Sequence, residues 1–217
     1  MHGLEMLNLA AGALLLTAVL VLWRRELTVI VRVLALQGVA LAALVTALAW
    51  YEGSPELAAI AVGLLVLNGG VMPWLVRRAL AGAGTGRRES RPVVNVATSL
   101  LAAAALTLLA LAVSQPLVEL APTPASRAVP MAIAVVLIGF LVLVSRRYAV
   151  SQVVGFLMMD NGITAAGLLT TSRIGLVLEV GVALDVLLVV LVLQILTGRM
   201  REAFGDTDLD DLRELHD

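Results

Sequence analysis

The chain has 217 residues, 60% of them hydrophobic, with a mean hydropathy of +1.00 and a formal net charge of −1. This apolar content lies far above that of a soluble domain and indicates an integral membrane protein, with no charge excess of the kind that binds nucleic acid. Cysteine is absent and the only histidines, His2 and His216, stand at the two ends, so the chain lacks a thiolate or imidazole cluster for zinc, haem or an iron–sulfur centre.

A bilayer core of about 30 Å takes about 20 apolar residues as a helix. Seven runs of roughly that length occur, at 4–23, 27–50, 57–76, 93–113, 128–144, 149–169 and 175–196, the fifth being the shortest. The expected fold is therefore all-α, a polytopic bundle of about seven transmembrane helices. Glu5 and the lack of a basic residue before the first run argue for a retained helix over a cleaved signal peptide. Trp23, Trp50 and Trp74 fall at span ends, as interfacial anchors do, and Pro73 is expected to kink or end the third helix.

All fifteen basic residues are arginines. With the N-terminus outside, twelve of them, including Arg24, Arg25, Arg77, Arg78, Arg146 and Arg147, fall on the inner side, against Arg127 and Arg173 outside and Arg32 within the second span. This predicts a cytoplasmic C-terminus. Arg32 lies near the inner end of its span, where snorkelling explains it.

A parallel internal repeat relates spans one to three with spans five to seven. Each copy has an Arg-Arg pair after its first helix, and Gln37-Gly38 takes the place of Asn161-Gly162. The expected organisation is an N-terminal three-helix unit (1–76), a middle part (77–127), a C-terminal three-helix unit (128–197) and an acidic tail (198–217). Within the middle part, the loop RRALAGAGTGRRESRP follows no strand and lacks a Gly-Lys-Ser/Thr sequence, so no nucleotide site is expected there. Residues 114–130, with Pro116, Pro122, Pro124 and Pro130, read as a stiff outer connection. In the tail, Thr207 and Asp210 resemble a capping box before Leu209, Leu212 and Leu215, and a short helix for a protein partner competes with a solvated end.

Three acids lie inside the last two apolar runs: Asp160, Glu179 and Asp185. An acid at a helix centre costs about 2.5–3.5 kcal/mol on insertion scales, so three together call for a compensating role. Around a turn centred near Ser172, Asp160 lies twelve residues before and Asp185 thirteen after, which brings them to similar depth. Glu179 sits about 9 Å nearer the outer surface and about 120° around the helix from Asp185. A carboxyl whose charged form is costly can take up and release a proton near neutral pH, which makes these acids a candidate proton path; the alternative role is fixing helix packing. Asn161, Gln37 and Asn68 are candidate interhelical partners, and Gln152 and Gln194 stand toward the inner ends of the two acid-bearing helices.

The runs GFLMMDNGITAAGLL and LVLEVGVALDVLL, followed by a tail containing DTDLDDLREL, resemble component E of hydrogenase-4 and formate hydrogenlyase membrane complexes. That family is similar to the small K subunit of respiratory complex I and the C subunit of Mrp-type antiporters. The resemblance is one of sequence over 145–215 and of topology over 1–144. It implies a non-catalytic membrane-arm subunit with no cofactor of its own, a nickel–iron centre and iron–sulfur clusters on partner chains, and antiporter-like and membrane-anchor subunits beside it, with a hydrogenase-like soluble arm. It assigns Asp160 to the first family acid, where glutamate is usual, and Glu179 to the second, whereas depth favours Asp185. The alternatives are a subunit of an Mrp-type cation/proton antiporter, an independent proton-coupled exporter, and an assembly scaffold with inert acids.

Overall fold

The computed structural model describes residues 2–82, 95–120, 122–146 and 149–170. Within them the chain forms α1 (His2–Trp23), α2 (Leu27–Glu52), α3 (Pro55–Val66), a π turn (Leu67–Val71), α4 (Met72–Gly82), α5 (Val96–Leu120), a 3-10 turn (Ser126–Ala128), α6 (Val129–Ser145) and α7 (Ala149–Thr170). Six continuous stretches among the described residues are long and apolar enough to cross a membrane, with α3, the π turn and α4 making one of them. Inside lipid no water is present to bond a free backbone group, so apolar runs of this length settle as helices whatever their intrinsic propensity. The hydroxyls obey the same constraint: Thr17, Thr46, Thr107 and Ser114 each bond a carbonyl four residues back in their own helix. The seventh expected span, the loop at 83–94 and the tail lie outside the described residues.

Two boundaries differ from the sequence expectation. The fourth expected span is α5, which runs Val96–Leu120 through Pro116, and Pro130 lies in the first turn of α6, so the expected outer connection at 114–130 is largely helical. Proline counts against a helix in water, but near Pro116 the Ser114 hydroxyl bonds the carbonyls of Ala110 and Leu111, and the apolar residues on either side favour continuing the helix. The actual connection is tightened by Thr123 and Ser126, each side-chain oxygen accepting from the other's backbone N–H at 3.1 and 3.0 Å. Pro73 likewise does not end its helix. It has no N–H and its ring crowds the carbonyl four residues earlier, and the wider π turn just before it, closed by Met72 N–H donating to Leu67 O, takes up the mismatch.

Between α2 and α3 the chain reverses over Gly53, Ser54 and Pro55. Gly53 takes a left-handed conformation (φ 66°), Ser54 accepts from Leu57 N–H at 3.3 Å, and Pro55 opens the next helix. At this end a cleft of about 390 Å³ is lined by Tyr51, Glu52, Leu120, Ser126 and Thr170, among others. At the opposite end Trp23 and Trp74 are exposed and lie under the guanidinium groups of Arg24 and Arg78, at 5.0 and 5.6 Å. Arg146 is buried there and donates from Nη2 to Val21 O, Leu22 O and Arg24 O, placing a cation against the negative end of α1. Gln152, which is exposed, donates from Nε2 to Arg146 O at 3.1 Å and so closes the link from α6 to α7.

α6 packs closely on α7. A Cβ on Gly139 would lie 2.6 Å from Met159 N, one on Gly155 2.6 Å from Leu143 N, and one on Gly162 2.8 Å from Val136 N. Backbone meets backbone at all three, which only small residues permit. α5 is peripheral, burying Ser99, Ala103, Ala110 and Ser114 and leaving Leu101, Leu108 and Leu109 outside.

Gly139→Ala is therefore expected to lower the thermal unfolding midpoint of the detergent-purified chain, at a cost of about 1–3 kcal/mol for overpacking. The control is Gly63→Ala on α3, where an added Cβ meets nothing within 4 Å and the midpoint should hold or rise.

Candidate functional site

Asp160 is the twelfth of the 22 residues of α7 and therefore lies near its middle. It is followed by Asn161 and Gly162, and at 100° per residue these three leave the helix in three directions. Gly162 meets α6, against Val136 and the carbonyl of Ala132. Asn161 meets α2 and the π turn. Asp160, about 200° around the helix from Gly162, is buried to 3% exposure, as is Asn161.

Asn161 joins two other buried amides. Asn68 Nδ2 donates to Asn161 Oδ1 at 2.9 Å, and Asn161 Nδ2 donates to Gln37 Oε1 at 3.4 Å. Gln37 is 0% and Asn68 4% exposed. Three helical segments far apart in sequence thus each place one amide at a single point. The sequence supplies two reasons. Gly38 lets α2 lie so close to the π turn that a Cβ there would overlap the carbonyl of Asn68, and would come within 2.6 Å of Gly69 N. The Leu67-Asn68-Gly69-Gly70 run, with Pro73 beyond, carries the π turn that presents Asn68. Turns of this type recur at functional sites because they redirect a side chain without ending the helix.

The bonds do not use all of the cluster's capacity. Gln37 Nε2 and Asn68 Oδ1 have no hydrogen-bond partner among the described residues, and neither does the Ser151 hydroxyl in the first turn of α7. A buried amide group left unbonded costs about 1–3 kcal/mol, so the cluster has unmet demand at both ends.

The expected site residues thus separate. Asp160, Asn161 and Gln37 lie in the buried centre, with Asn161 bonded to Gln37. Arg32 is exposed on the outside of α2 and belongs to no part of the cluster, and Gln152 serves the α6–α7 link. Glu179, Asp185 and Gln194 lie outside the described residues. Asn68, read from sequence only as an interhelical bonding partner, is a full member of the cluster; the Asn-Gly-Gly run preceding Pro73 was the available signal. Arg146, read as one of many inner arginines, is a specific ligand of the α1 carbonyls, and nothing in the sequence distinguished it from Arg147. Among the described residues no three His, Cys, Asp or Glu side chains gather as a metal site.

No protein-family model matches the sequence, and no solved structure matches it. Over 212 residues, 98% of this chain and 96% of the relative, it is 49% identical to the uncharacterized protein Rv0085 of Mycobacterium tuberculosis. Over 215 residues, 99% of each chain, it is 24% identical to hydrogenase-4 component E of Escherichia coli strain K12, and equally to that of Shigella flexneri. The second similarity is distant but runs the full length, so it extends into the first 144 residues, where the sequence alone suggested topology only. The chain belongs to the family of the mycobacterial protein, and hydrogenase-4 component E is a distant relative.

Proposed function

We propose that this chain is a non-catalytic subunit of the membrane arm of a multisubunit complex of the hydrogenase-4 kind, and that it carries part of a proton path through Asp160, Glu179 and Asp185. The observation that carries this reading is Asp160, a carboxyl at 3% exposure in the middle of a helix long and apolar enough to span a membrane. An ionisable group at that depth is expensive to keep and is a functional residue by default. The full-length relationship to hydrogenase-4 component E supports membership of a complex. In this reading the chain spans a bacterial cytoplasmic membrane seven times, with its N-terminus outside. Nickel–iron and iron–sulfur chemistry belongs to a soluble arm on other chains, and antiporter-like and membrane-anchor subunits flank this one.

Purification of the tagged chain from its host in mild detergent, with mass spectrometry of what accompanies it, tests the proposal. Antiporter-like subunits together with a nickel-site large subunit are the expected result. Antiporter subunits without redox chains would transfer the proposal to a cation/proton antiporter, and recovery of the chain alone would contradict both.

In the reconstituted complex, Glu179→Gln and Asp185→Asn distinguish the second relay acid. One of them is expected to lower proton movement by about tenfold or more, the scale lost with a proton-transfer group. Normal proton movement in both variants would remove the seventh span from the path.

A further inference from the structure

We infer that the cluster of Gln37, Asn68 and Asn161 binds internal water at each of its two ends, forming a hydrated junction where α2, the π turn and α7 meet. This goes beyond the proposed function, since it holds whether or not Asp160 carries protons.

The direction of the two hydrogen bonds determines the chemistry of the guest. Asn68 donates to Asn161 and Asn161 donates to Gln37, so the chain of amides ends in an amino group at Gln37 Nε2 and a carbonyl at Asn68 Oδ1. Neither atom has a hydrogen-bond partner among the described residues, and both residues are buried. One end requires an acceptor and the other a donor. A cation would satisfy Asn68 Oδ1 and be repelled by the Gln37 amino group; an anion would do the reverse; a hydrocarbon group would satisfy neither. Water both donates and accepts and is small enough for a packed core.

The surroundings fix the positions of the two ends. Asn68 is held on a π turn whose backbone is pressed against Gly38. Gln37 is adjacent to that contact on α2. The consequence is a polar point shared by the first and second halves of the sequence, at the residue next to Asp160.

The test uses the full chain, labelled with ¹³C and ¹⁵N, in a lipid bilayer and studied by solid-state NMR with magnetisation started on water. Side-chain NH₂ signals of Gln37 and Asn68 are assigned by correlation to their own backbones, so no variant has to fold. Their build-up is compared with the backbone amides of Leu34 and Leu41, which are buried on α2 on either side of Gln37. The expected result is a build-up several-fold faster at both NH₂ groups than at the two leucines. Build-up at the leucine rate at both NH₂ groups means a dry cluster and overturns the proposal. A fast rate at one end only overturns the two-ended site.

Discussion

In a lipid-embedded bundle an amide side chain has no bulk water to bond, so buried amides from different helices must find one another. Asn161 does this twice, accepting from Asn68 and donating to Gln37. Interhelical bonds of this kind are worth about 0.6–2 kcal/mol each in membranes, less than the cost of many packing errors. Their importance here is geometric. They fix the rotation of α7 about its axis, and rotation determines where Asp160, 100° from Asn161, projects.

The rest of the structure makes that meeting possible. Backbone contact at Gly139, Gly155 and Gly162 sets the spacing of α6 and α7, and Gly38 sets that of α2 and the π turn. Arg146 ties the end of α6 to the end of α1 through three carbonyls. Asp160-Asn161-Gly162 thus divides three roles among three consecutive residues: a titratable group, a bonding group and a close-packing group. A substitution at any one of them acts on the other two through the helix they share.

Much of this was legible in the sequence because bilayer thickness and the cost of bare backbone leave few options. Apolar run length gave the helices, and Trp23 and Trp74 marked an interface. Asp160, Asn161 and Gln37 stood out as polar groups in apolar runs. What was not legible depends on packing between distant segments or on how lipid overrides local preference. Pro116 and Pro73 signal breaks in water, yet both lie within helices here, the second by means of a π turn. The meeting of residues 37, 68 and 161 leaves no local trace, and neither does the use of Arg146 to cap another helix.

The proposed function rests on one group, a buried acid next to an amide cluster in a distant relative of a hydrogenase component. The most direct measurement is proton movement by the complex reconstituted in liposomes, with Asp160→Asn compared with Asp160→Glu. Loss by about tenfold or more in the asparagine variant, with substantial recovery in the glutamate variant and unchanged subunit assembly, is the predicted result. Undiminished proton movement with asparagine at position 160 would contradict the role given to this residue.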